Sequence, residues 1–462
     1  MNGFNQTVGG LRSGNVAGGE ITSNGTRTIT SASAATLTLN ETSTNLYDGT
    51  ITGAVALIKN GIGTTTLTGN NTYSGGTTVN AGALNVTSTG SLASNSALSL
   101  NSSATANLSN SGQTLGAVSN NNTATNALNF SNATGTVTLA SLSGGGNTRF
   151  GSNAVVTGGI GSGTVNAIGS LTANITGGTV GAGSLIASTV NGGTTTVGGV
   201  ATIGTMSAGT ANLNGATSSI TTLSGGNIAL GSSTVLSVSD GSSSGIISGG
   251  GGLNKTGAGS LELLGANTYT GTTTVSEGAL AVNGSLAGGV TVSSNATLQG
   301  SGTIGGATTI GGSLKPGNSP GLLTFANSVT LQSTASTTME IVGNSTLSRG
   351  VTYDAIDITG ALTYGGTLTL DFSGPAYGQG VYTFNLFDFG NQSGSFTSMS
   401  LAGLYSGALI NNAGVWGYQQ GDNSWSFNQA NGELTFTVVP EPNVAMVVGS
   451  LALMTLLRRR RD

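Results

Sequence analysis

The chain contains no cysteine and no histidine. Their absence removes disulfides, cysteine nucleophiles, Ser–His catalysis and the usual zinc or copper sites together. Charge is scarce as well: 6% of residues are ionisable Asp, Glu, Lys or Arg, against about 25% in ordinary globular domains. Disordered chains also lack a core, but they carry many charges and prolines. Here there are 5 prolines and a mean hydropathy of +0.16, so simple disorder is a poor reading. What the chain does have is 81 glycines among small, β-favouring residues. That composition suits many short strands joined by tight turns.

The net charge is −4, and its placement matters more than its sum. Four of the 11 basic residues are Arg458, Arg459, Arg460 and Arg461. Residues 1–439 hold 7 basic and 13 acidic side chains. A weakly acidic surface with no basic patch excludes nucleic acid as the expected partner. The first residues carry neither a basic n-region nor an apolar h-region, so they do not read as a signal peptide. An exported chain would then need its leader upstream of Met1.

One repeat aligns without gaps. Residues 50–86 and 246–282 share 19 of 37 positions at a constant offset of 196. The identities include Lys59/Lys255, Gly69/Gly265, Asn71/Asn267, Tyr73/Tyr269, Gly75/Gly271, Gly82/Gly278 and Leu84/Leu280. Thr77-Thr78-Val79 and Leu84-Asn85-Val86 alternate as half-buried strands do, and the glycines fall where the chain must turn. Such a unit cannot bury its apolar face alone, so it should stack on neighbouring coils. Between the copies, runs such as 97–100, 137–139 and 235–238 are separated by Gly, Asn and Ser and predict further coils of roughly 20 residues. At about 4.8 Å per stacked strand, residues 1–320 would form a rod on the order of 75 Å long.

These segments resemble the autotransporter-associated β-strand repeat, through Lys59-Asn60-Gly61, Leu67-Thr68-Gly69, Asn71-Thr72-Tyr73-Ser74-Gly75 and Gly82-Ala83-Leu84 with their partners. The resemblance implies an all-β, right-handed parallel β-helix on a bacterial surface. It names a scaffold and no activity. The run 314–321 also resembles the segment that follows such repeats.

Composition changes near Pro316 and Pro320. Of 22 aromatic residues, 16 lie from Phe325 to Phe436. Large aromatics give a small domain its core, so residues 321–438 are expected to form a β-rich unit or an aromatic cap. Residues 439–462 make a third segment: Pro440-Glu441-Pro442, an apolar run over 444–457, then four arginines. Fourteen helical residues span about 21 Å, short for a hydrocarbon core of about 30 Å, and snorkelling arginine stems can extend it. The arginines would hold the C-terminus in the cytoplasm. The competing reading is a buried core helix. In this order the features resemble the PEP-CTERM sorting signal of Gram-negative bacteria. That resemblance implies recognition of Pro440, Glu441 and Pro442 by the membrane protease exosortase, a transient inner-membrane precursor anchored by Arg458–461, and delivery to the cell surface or matrix.

Little could carry chemistry. Between Gly61 and Asn254 the charged side chains are Arg149 and Asp240 alone. Polysaccharide-cleaving β-helices need acids and bases in a groove, so no catalytic residue, metal or cofactor is assigned and the chain is not expected to be an enzyme. Gly300-Ser301-Gly302-Thr303-Ile304-Gly305 fits a dinucleotide fingerprint, but this glycine content generates such matches by chance. Asp354 and Asp357 form the closest acidic pair outside the tail, either a Ca²⁺ site or a solvated pair flanking a strand. The leading expectation is a structural or adhesive surface protein contacting exopolysaccharide or neighbouring surface proteins. The alternative is a carbohydrate-binding or carbohydrate-processing module with its site in 321–438. A self-secreting passenger is disfavoured because no run of alternating barrel strands closes the sequence.

Overall fold

The computed structural model describes residues 1–13, 21–23, 28–343 and 348–439. The tail lies outside them, including Pro440, Glu441, Pro442, the apolar run 444–457 and Arg458, Arg459, Arg460 and Arg461. The described residues are strand, turn and bend, with no helix among them, and so none long and apolar enough to cross a membrane. The described residues form an all-β solenoid of about 16 turns. It divides into two compact units. One holds Met1–Asn254 with Gly265–Gly271, the other Lys255–Leu264 with the residues from Thr272 on.

In the first unit the strands alternate between buried and part-exposed positions, and the alternation fixes how they stack. Thr50–Lys59 lies parallel to Thr28–Leu39, with Leu57 against Leu37 and Lys59 against Leu39. Thr77–Val86 follows, with Thr77 against Leu57 and Val79 against Lys59. Leu98–Leu108 continues with Leu100 against Val79 and Leu108 against Val86. Inward positions therefore meet inward positions from coil to coil. A slip of one residue would turn every leucine and valine to water.

Coil length is not constant, which corrects the uniform coil of about 20 residues. Asn71 bonds to Ile51, 20 residues earlier. Farther along, Asn174 bonds to Thr189, 15 residues later, and Ile160 bonds to Thr176, 16 residues later. The tightened coils have small interior side chains and almost no loops. This stretch fills its interior with small residues such as Ala167, Ala173, Ala182 and Ala187. Its strands, Thr164–Ile175 and Thr179–Val197, run on through bends with few loop residues between them.

The second unit begins with the parallel ladder Ser260–Leu263, Gly278–Val282, Ala296–Gly300, Ser313–Pro316. The ladder runs on past Pro320 through Ser336–Ile341, Thr367–Phe372 and Ser398–Gly403. Here the coils lengthen, so that Thr397 bonds to Gly366, 31 residues away. From Ser398–Gly403 the pairing turns antiparallel through Gly407–Asn412, Val415–Gln420, Asn423–Asn428, Glu433–Val438 and Gly380–Asn385. These strands bury Phe372, Trp425 and Phe436. Trp425 and Phe436 stack with centroids 4.7 Å apart, and Phe372 meets Phe436 edge-on at 5.4 Å. The antiparallel strands occupy the hydrogen-bonding edge that a parallel ladder would otherwise leave open.

Candidate functional site

The identities shared by the two repeat copies turn out to be interior fittings. Lys59 is fully buried, and its ammonium donates to the carbonyls of Gly61 (2.5 Å) and Ala81 (3.1 Å). Lys255 is equally buried and donates to the carbonyls of Thr256 (2.8 Å), Gly257 (2.7 Å) and Glu277 (3.1 Å). Each lysine thus gathers backbone acceptors at a turn that would otherwise bury them unpaired. Asn71 accepts from the Ile51 N–H and donates to the Gly69 carbonyl, and Asn267 does the same with Ile247 and Gly265. Tyr73 and Tyr269 are buried beside them. Burial pushes the Tyr73 phenol up to about 12, with the Thr77 hydroxyl and a backbone bond pulling the other way. Gly82 and Gly278 both sit at φ +68°, and a Cβ at either would lie 2.3 Å from a carbonyl of the preceding coil. Only glycine fits there.

Residues 57–86 and 253–282 match the passenger-associated-transport-repeat family. The match falls on the two copies whose buried fittings coincide, as the resemblance to autotransporter-associated repeats implied. No curated protein matches the chain.

The first copy has an acidic neighbour. Lys59 also pairs with Glu41 at 3.4 Å, both side chains being buried, and the Thr65 hydroxyl donates to the same carboxylate. Burial lowers the Lys59 ammonium below its ordinary range, while the Glu41 charge and hydrogen bond work to restore it. At the repeat offset the counterpart of Glu41 is Ser237, so the acid belongs to this coil and not to the motif.

A polar cleft of about 360 Å³ opens in the second unit. Its wall is the run 315–319, Lys-Pro-Gly-Asn-Ser, and its lining includes Gln299, Thr338, Glu340, Asp354 and Asp371. The parallel register assembles it. Gln299 stands beside Lys315, and Glu340 beside Asp371. Asp354, 2% exposed, fastens the loop: its carboxylate accepts the Gly321 N–H and the Glu340 N–H, each at 2.8 Å. Burial pushes Asp354 up to about 7. The two backbone donors hold it lower than burial alone would, and the Glu340 charge adds to the rise.

The Asp354–Asp357 pair does not converge. Asp354 turns in to those two amides, while Asp357 pairs with Arg349 at 2.7 Å. Among the described residues no group of three or more acids is placed to hold a metal ion. The glycines of the dinucleotide-like run serve close stacking: a Cβ on Gly300 or Gly302 would lie 2.2 and 2.1 Å from carbonyls of the preceding coil. The gathering of Lys315, Glu340 and Asp371 escaped sequence reading, because adjacency across coils depends on coil lengths that change along the unit.

Proposed function

We propose that this chain is an exported, surface-exposed structural or adhesive protein of a Gram-negative bacterium, with a non-catalytic right-handed solenoid. The observation that carries the reading is the pair of passenger-associated-transport repeats built into stacked parallel coils. Such repeats imply export to the surface. The scarcity of ionisable side chains from Gly61 to Asn254 supports the absence of catalysis in that stretch. Its outer face offers ladders of amides: Asn80 donates to Asn60 at 2.7 Å and Asn101 to Asn80 at 2.5 Å. Asn107 likewise donates to Asn85 at 2.9 Å and Asn129 to Asn107 at 3.2 Å. A neutral, polar, repetitive face suits contact with exopolysaccharide or with neighbouring surface proteins.

The order of features in residues 440–461 supports sorting by exosortase through a transient inner-membrane precursor. Replacing Pro440, Glu441 and Pro442 by alanine is expected to leave the protein uncleaved in the inner membrane, because the apolar run and the arginines still insert it. Deleting Arg458, Arg459, Arg460 and Arg461 is expected to impair retention instead. Membrane fractionation of an epitope-tagged chain separates the two. Release of the alanine variant as efficient as the parent's would refute the sorting reading.

A further inference from the structure

In a chain with 11 basic and 15 acidic residues, four ionisable side chains line one cleft: Lys315, Glu340, Asp354 and Asp371. Two of them have structural work. Asp354 ties down Gly321 and Glu340, and Glu340 accepts from the Ser319 hydroxyl at 2.5 Å. The other two have none. Among the described residues, Lys315, Asp371 and their neighbour Gln299 have no side-chain hydrogen bond or ion pair. Elsewhere on the outer face, some polar side chains on adjacent coils bond each other. Asn283 donates to Glu262 at 2.7 Å in the same unit, and the asparagine ladders do so in the other. Gln299 and Lys315 occupy directly paired register positions and still leave their hydrogen-bonding capacity turned to the cleft.

The geometry points to this cleft as a binding site for a hydroxyl-rich oligosaccharide bearing amino groups. Its walls supply neutral donors and acceptors, Gln299, Asn318, Ser319 and Thr338, suited to sugar hydroxyls. Glu340 and Asp371, side by side across one coil step, outweigh the single cation Lys315. A protonated amine is therefore attracted and a uronate repelled. The lining residues come from adjacent coils, about 4.8 Å apart, so an extended ligand can engage several of them along the stack. The site is independent of how the chain is sorted, and it gives the second unit a recognition role that the charge-poor first unit lacks.

The test uses the full chain and a chitosan hexamer, followed by calorimetric titration at low salt. Binding is expected, and Asp371→Asn and Gln299→Ala should each weaken it at least tenfold while leaving the thermal midpoint unchanged. The fully N-acetylated hexamer should bind more weakly, and polygalacturonate should not bind. No binding of the chitosan hexamer would overturn the proposal. So would binding that both variants leave intact, or spermidine binding as tightly as the hexamer, which would mark a mere cation trap. Titration of the purified chain bears on the cleft alone, so its failure leaves the export reading standing and is distinguishable from failure of that reading.

Discussion

Between Thr164 and Leu213 the interior is mostly alanine, valine, isoleucine and leucine, and Leu171 lies against Leu185, 14 residues on. Between Thr367 and Val438 aromatic rings join leucines and Met399 in the interior, and a coil takes 31 residues. The comparison teaches that coil length follows what lies between the ladder strands: Thr164–Ile175 and Thr179–Val197 are almost continuous, whereas the step from Thr367–Phe372 to Ser398–Gly403 includes Gly380–Asn385, which pairs with Glu433–Val438. Lys315, Glu340 and Asp371 lie on the ladder strands themselves, and Asp354 on the connection just before Ala355–Tyr364. The stretch from Thr164 to Leu213 carries no Asp, Glu, Lys or Arg, whereas the cleft proposed above is lined by four such side chains.

Four changes would break or sharpen that contrast. Truncating the aromatic core should cost most: Trp425→Ala removes the ring stacked on Phe436 and is expected to lower unfolding free energy by about 3–5 kcal/mol. The measurement is denaturant unfolding followed by circular dichroism. In the aliphatic unit the largest loss should come from charge rather than volume. Lys59→Ala strands the buried Glu41 carboxylate, at about 3–5 kcal/mol, and Glu41→Gln in the same background should recover much of it. If Lys59→Ala were neutral, the buried pair would not be holding the turn.

The third change concerns Asp354. Its folded value is raised to about 7 from an ordinary 3.8, so the folded state binds the proton more tightly than the unfolded chain. This group's stabilising contribution is fully present below pH 3.8 and is lost as pH rises through about 7. The parent should therefore lose up to a few kcal/mol across that window relative to Asp354→Asn, whose side chain does not titrate. Parallel stability curves for the two from pH 4 to 8 would contradict the assignment. The smallest effect should fall on the ladders. Asn107→Ala removes bonds to Asn85 and Asn129 on the outer face and should cost no more than about 1 kcal/mol, read as a thermal shift of a few degrees or less.

Much of this was legible in the sequence, and what was not has a physical reason. The coincidence of Lys59 with Lys255, Asn71 with Asn267 and Gly82 with Gly278 announced a stacked unit, and alternation around Val79 and Leu84 announced parallel strands. The buried ammonium of Lys59 was not legible, because a lysine in a polar turn reads as solvated until its carbonyl acceptors are placed. Nor was the shortening of the middle coils, since alanine and glycine carry a weak periodicity. Asp354 and Asp357 were noticed as a pair, yet their side chains part: one enters the interior and the other meets Arg349. Nothing in the sequence pairs Glu340 with Asp371, because their adjacency exists only across the ladder.

The central claim is that the repeat-bearing solenoid works outside the cell. The most direct test is protease shaving of intact cells expressing the full chain with an epitope tag placed in the exposed turn at Ala413-Gly414. The account predicts loss of the tag from intact cells at a protease dose that leaves a cytoplasmic marker untouched. Protection of the tag until the cells are lysed would contradict it.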